Sequence, residues 1–271
     1  MDTPHWIERD LALAIHAASE AGRRVEELRA SGRWSDEKIR ADIGDQAADG
    51  WLRGLFEGRC PDDGVLSEET VDSPERLGKS RVWIIDPLDG TKEYSQMRED
   101  WAVHVALCID GECALGAVAL PATGQVLFGV ALGAQRRAGI VGGGQLLSGD
   151  SPQPSPPRMV VSRSHTPEWT AEFARILGVG EQKPVGSVGF KVARLLLGDA
   201  DVYVHKKGLK EWDTCAPETV ARALGWHVCK LRGEAHRYNQ ADPKNHELVI
   251  CRPSAKARVL DALARSGALD A

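Results

Sequence analysis

The most constraining stretch of this chain is Arg81-Val-Trp-Ile-Ile-Asp-Pro-Leu-Asp-Gly-Thr91, where a continuous apolar run ends on two carboxylates. Val82 to Ile85 shows no polar alternation, which predicts a strand buried on both faces. Asp86 and Asp89 follow at once, at a place where packing has no use for paired negative charge. Pro87 has no N–H to give and is expected to stop the ladder, while Gly90 allows a sharp turn. Thr91-Lys-Glu-Tyr-Ser95 reads as the first turn of a helix, whose amides suit an oxyanion. One loop thus offers hard oxygen ligands for a divalent cation and a backbone cradle for phosphate. The competing reading is a solvated acidic turn with an Asp cap.

Charge narrows the partners. The 271 residues carry a formal net charge of −5 and no block of Lys or Arg, so a grip on long nucleic acid is not expected. A small anion needs only a local cluster of cations and amides. Residues 1–25 mix charge with apolar residues at helical spacing, unlike a secretory signal, and no segment is expected to span a membrane. The six cysteines (Cys60, Cys108, Cys113, Cys215, Cys229 and Cys251) form no C-x-x-C pair and read as reduced thiols. A cytoplasmic protein is expected.

Helices are predicted over Ile7–Arg29 and Asp45–Phe56, a short strand over Val65–Ser67, and antiparallel strands from Trp101 to Val130 with turns at Asp110-Gly111 and Pro121–Gly124. The strongest breaker clusters, Gly142–Gly144 and Ser151–Pro157, place a boundary between an N-terminal domain, 1–150, and a C-terminal domain, 151–271. Beyond it, strand-like and helix-like segments alternate, which predicts an α/β second half.

Two more acidic segments bear on the loop. Ser67-Glu68-Glu69 follows a predicted strand end, and Trp212-Asp213-Thr-Cys-Ala-Pro217 precedes a predicted helix with Pro217 in its first turn. Alone, Glu68 reads as a surface residue and Asp213 as a helix N-cap. In combination, LSEE, WIIDPLDGTKEY and EWDTCAPE resemble the three signature segments of the inositol monophosphatase-like, lithium-sensitive phosphatases, in the same order, over about residues 40 to 252. The resemblance implies an α+β fold, a layered α-β-α-β-α sandwich with the site between its halves. It implies a first metal on Glu68 and Asp86 with the Leu88 carbonyl, and a second on Asp86, Asp89 and Asp213. An all-oxygen set favours Mg²⁺, in two or three ions, with Mn²⁺ as substitute. The resemblance further gives Glu68, Thr91 and an upstream Asp the catalytic work on water. Asp45 is the choice for that Asp, with Asp42 and Asp49 as competitors, because Arg40-Ala-Asp42-Ile-Gly-Asp45 departs from the family's Pro-Val-Thr. Gly90 and Thr91 would hold the departing phosphate.

Within the superfamily, Asp-Gly-Thr-Lys-Glu-Tyr94, Ser162-Arg-Ser-His165 and Gly186-Ser187-Val-Gly-Phe-Lys191 resemble the CysQ-type 3′(2′),5′-bisphosphate nucleotidases. That branch implies hydrolysis of 3′-phosphoadenosine 5′-phosphate, a by-product of sulfate assimilation, with Ser162, His165, Ser187 and Lys191 gripping a second phosphate. The loop His205–Glu211 departs from the family's Pro-Arg-x-Gly-Pro-Thr, and Arg237–Gln240 is expected as a wall for substrate. An inositol monophosphatase, a fructose-1,6-bisphosphatase and a silent nucleotide-binding protein stay open, as does a homodimer.

Overall fold

The computed structural model describes residues 5–164 and 166–270. Apolar residues at helical spacing bury one face of α1 (His5–Ala30), which packs beside α2 (Glu37–Arg59). The Asp36 side chain accepts a bond from the Ile39 amide and caps α2 well upstream of Asp45, the start read from the apolar pattern. Asp42, Asp45 and Asp49 therefore recur on one side of a continuous helix.

The first sheet runs in chain order: β1 (Gly64–Ser67), β2 (Arg81–Asp89), β3 (Ala102–Ile109), β4 (Glu112–Leu120), β5 (Gln125–Leu132) and β6 (Gln135–Val141). Only the β1–β2 pair is parallel. Asp110 and Gly111, at φ 50 and 81, make the tight β3–β4 turn that their sequence predicts. Between β2 and β3 lies α3 (Thr91–Ser95).

The second half follows as β7 (Arg158–Ser162), α4 (Trp169–Leu177), β8 (Glu181–Val185), α5 (Val188–Leu196), β9 (Val202–Lys206), α6 (Glu211–Ala223), β10 (His227–Cys229), β11 (Glu247–Cys251) and α7 (Lys256–Arg265). Its sheet has the order β10-β11-β9-β7-β8, with β7 parallel to β8 and β9.

Three apolar cores separate five layers. One lies between α1, α2 and the first sheet, around Val25, Phe56, Trp83 and Val105. The central one joins both sheets through α5 and α6, around Ile84, Val160, Leu195 and Val220. The third sets α4 and α7 on the outer face of the second sheet. This is the α-β-α-β-α sandwich that the resemblance implies. The boundary near residue 150 falls between β6 and β7, but α5 and α6 pack on the first sheet, so the central core belongs to both halves.

Two local expectations are corrected. Pro87 does not end the ladder: β2 continues to Asp89, which pairs with Ala102 after a register shift. A bulge needs no donor at the proline, which is why a strand tolerates it there. Pro217 lies inside α6 rather than in its first turn, because the Asp213 carboxylate, accepting from the Lys210 amide at 2.6 Å, starts the helix at Glu211. The proline then removes the N–H that would bond the Asp213 carbonyl.

Candidate active site

Residues three apart on a regular strand point to opposite faces. The bulge changes that here. Asp86 pairs with His104 and Asp89 with Ala102, so three residues of β2 span two of β3, and both carboxylates face the central layer. His104 faces the same way, and one ligand atom from each of Asp86, Asp89 and His104 lie within 4.8 Å of one another.

Each is buried. Asp89 sits against the start of α5, where the amides of Val188 and Gly189 donate to its two oxygens at 3.1 and 2.6 Å. Burial opposes its charge, yet His104, Lys191 and the Gly189 amide hold it below the usual carboxylate range. His104 Nε2 is 3.1 Å from Asp89 Oδ2, and Nδ1 donates to the Trp212 carbonyl at 3.2 Å. Burial works against the imidazolium, but Asp89 raises His104 above its ordinary value. Asp86 Oδ1 accepts from the Leu88 amide at 3.1 Å, while its buried Oδ2 has no donor among the described residues. Burial, Glu68 and Asp89 push Asp86 well up.

The other carboxylates come in from three sides. Glu68 follows β1, and burial of its carboxyl beside Glu69, Asp45 and Asp89 raises it to about 7. Asp213 reaches in from the first turn of α6; burial and Asp89 raise it to about 7. On α2, burial and Glu69 likewise raise Asp45 to about 7. Asp45 Oδ1 lies 3.3 Å from the Thr91 hydroxyl, which also reaches the Leu88 carbonyl at 3.0 Å. Of its competitors, Asp49 is turned away, accepting from Ser67 Oγ at 2.6 Å. Gly90 takes a φ of 90, which permits the turn from Asp89 into α3.

A model of the inositol monophosphatase family matches residues 6–268. The chain belongs to that family. A curated relative, the 3′-phosphoadenosine 5′-phosphate phosphatase of Mycobacterium leprae, is 38% identical over 253 residues, covering 90% of this chain and 89% of that protein. The 3′(2′),5′-bisphosphate nucleotidase CysQ of Salmonella typhimurium is 34% identical over 66% of this chain and 71% of its own length. Among solved structures, CysQ from Bacteroides thetaiotaomicron superposes with a TM-score of 0.76 at 27% identity, covering 90% of this chain and 97% of that one.

Members of this family depend on metal, and the donors fit one. Among the described residues, the buried Asp86 Oδ2 has no donor; Glu68 and Asp213 raise Asp86, and Asp89 raises all three. Buried carboxylates that repel in this way are matched by hard divalent cations.

Of the residues expected to meet a second phosphate, Ser187 and Lys191 have partners within the fold. Ser187 is buried and caps α5, its hydroxyl accepting from the Phe190 amide at 2.9 Å. Lys191 is 2% exposed; its ammonium donates to the Gly186 carbonyl and lies over the Tyr203 ring. Burial lowers Lys191 to about 8, and its charge works behind Asp89. Ser162 ends β7 at intermediate exposure, and His165 lies outside the described residues. In the expected wall Arg237–Gln240, Arg237 and Gln240 are exposed, whereas Tyr238 is buried with its hydroxyl on Glu218 at 2.8 Å, and the backbone amides of Asn239 and Gln240 donate to Glu211. Sequence reading missed His104. Its signal was a polar residue in the otherwise apolar run Ala102-Val-His-Val-Ala-Leu-Cys-Ile109.

Proposed function

We propose that this phosphatase removes the 3′-phosphate of 3′-phosphoadenosine 5′-phosphate, releasing AMP and inorganic phosphate, with Mg²⁺ as its cofactor and Mn²⁺ as a substitute. The observation that carries the substrate is the end-to-end likeness to the mycobacterial phosphatase of that nucleotide. The chemistry is supported independently by carboxylates from both halves converging on one bulge.

In this reading Glu68, Asp86 and the Leu88 carbonyl hold one cation, and Asp86, Asp89 and Asp213 a second. The cations would offset phosphate charge and acidify the attacking water. Thr91 and Asp45 orient that water, and Asp45 takes its proton. The water oxygen bonds to phosphorus as the bond to the ribose 3′ oxygen breaks, and that oxygen takes up a proton from solvent water. Gly90 and Thr91 face the departing phosphate.

The rest of the nucleotide needs a concave, cationic wall. A cavity of about 470 Å³, lined by Thr166, His205, Lys206, Lys207 and Leu209 among others, supports placing it near the carboxyl ends of the parallel strands β7 and β9. Lys92, exposed beside Thr91 and 3.4 Å from Ser164 Oγ, supplies another cation. Ser187 and Lys191 then act from behind, by holding α5 against Asp89. The six free thiols support a reducing, cytoplasmic setting.

Product identity tests the reading. Phosphorus NMR of a reaction with Mg²⁺ should show AMP and inorganic phosphate. Adenosine 3′-phosphate as the product would contradict it.

A further inference from the structure

The connection from Glu68 to β2 makes a long excursion, and its middle residue is turned inward. Arg76, on a short 3-10 turn over Pro74–Gly78, is 2% exposed. Its guanidinium donates to both oxygens of Asp72 at 2.6 and 2.7 Å, to Asn239 Oδ1 at 2.6 Å and to the Gln240 carbonyl at 2.9 Å. Asn239 answers with its amide group on the Arg76 carbonyl at 3.1 Å. A planar fork can make these bonds together, and a lysine cannot.

The far side of this contact reaches the metal-binding helix. Asn239 adopts a left-handed φ of 56, so that the consecutive amides of Asn239 and Gln240 both point at one carboxylate, Glu211, at 2.6 and 2.8 Å. Glu211 is 1% exposed and is the first residue of α6, with Asp213 in the same turn. On the near side, Ser67 and Thr70 tie the residues around Glu68 to Asp49, and the Asp72–Arg76 pair fixes the next stretch. The chain of contacts therefore runs from the Glu68 loop of the first half to the Asp213 turn of the second. The central apolar core already joins the halves, so the fold itself does not depend on this polar link.

We propose that Arg76 is a positioning residue, one end of a strap through Asn239 and Glu211 that sets the spacing between Glu68 and Asp213. The inference rests on the reading of these carboxylates as metal ligands. Removing the strap should let the two halves' ligands drift apart and weaken cation binding, while leaving the cores intact.

Arg76→Ala would empty a buried site and strand the Asn239 side chain and the Gln240 carbonyl at once, and is a poor probe of function. Asn239→Gly is the sharper variant, because it keeps the left-handed backbone and both amides on Glu211 and deletes only the side chain that holds Arg76. Calorimetric titration of the folded full-length protein with Mn²⁺ alone reads the effect without turnover. Parent protein should bind Mn²⁺, and Asn239→Gly and Arg76→Lys should each bind it about tenfold more weakly, the scale seen when outer partners of metal ligands are removed. Arg252→Lys is the control, since Arg252 clamps the Ser148 and Ser151 carbonyls rather than a member of the strap. It should lower the melting temperature without changing Mn²⁺ affinity. Unchanged Mn²⁺ affinity in folded Asn239→Gly, or an equal loss in Arg252→Lys, overturns the strap while leaving the phosphatase reading in place. Absence of Mn²⁺ binding by the parent overturns both.

Discussion

His104 stands directly across the β2–β3 ladder from Asp86, yet its imidazole makes its short contact, 3.1 Å, with Asp89. Its other nitrogen holds the carbonyl of Trp212, the residue before Asp213. One side chain thus braces a first-half carboxylate against the turn that presents the second-half one. His104→Ala should lower kcat/KM by about tenfold to a hundredfold, as expected for an outer partner of metal ligands, with a matching rise in the Mg²⁺ concentration for half-maximal rate. Steady-state rates across a Mg²⁺ series check this; an unchanged Mg²⁺ requirement would refute the bracing role.

Gly189 tests the same junction by crowding. A Cβ there would lie 2.1 Å from His104 Nε2 and 3.0 Å from a Val118 methyl, so α5 or His104 must shift. Gly189→Ala should cost about 1–3 kcal/mol of stability by overpacking, and reduce activity beyond what that loss explains. Denaturant titration together with rates on the folded protein would measure both.

Asp213→Asn separates chemistry from folding. The asparagine oxygen can still accept from the Lys210 amide, so the start of α6 stays capped. Turnover should fall by more than about a hundredfold, past the range for outer partners. In thermal unfolding, Mg²⁺ should raise the parent's melting temperature and raise the variant's far less. An equal Mg²⁺ shift in both would show that Asp213 holds no cation.

The thiols give a prediction independent of the site. Burial pushes Cys108 and Cys251 up to about 12 and Cys229 to about 11, so at pH 8 only about one part in ten thousand of Cys108 is thiolate. Cys60 is raised too, by burial and Asp63, but it alone of the six is only half-buried. Ellman's reagent should modify one thiol of the native protein quickly and the other five only on unfolding. Rapid reaction of Cys108 would contradict its placement.

Legibility in the sequence followed the range of the interactions. Asp86, Asp89, Gly90 and Thr91 were readable because one continuous segment builds the strand end, the turn and α3. The bulge was not, since a register shift depends on β3, and Pro87 read alone argues for a strand end. Asp36 capping α2 was overlooked because the apolar pattern strengthens only after Asp45. Lys191 and Asn239 were singled out through the resemblance of short segments, which carries no account of what surrounds them. Their contacts within the fold, with Gly186 and Arg76, are set by tertiary packing that no local pattern records.

Initial rates on a substrate panel test the central claim most directly. Purified protein with Mg²⁺ would be offered 3′-phosphoadenosine 5′-phosphate, inositol 1-phosphate and fructose 1,6-bisphosphate. The account predicts a kcat/KM for the nucleotide at least about tenfold above either competitor, a difference of about 1.4 kcal/mol in transition-state binding. A preference of that size for the inositol or sugar phosphate would contradict it.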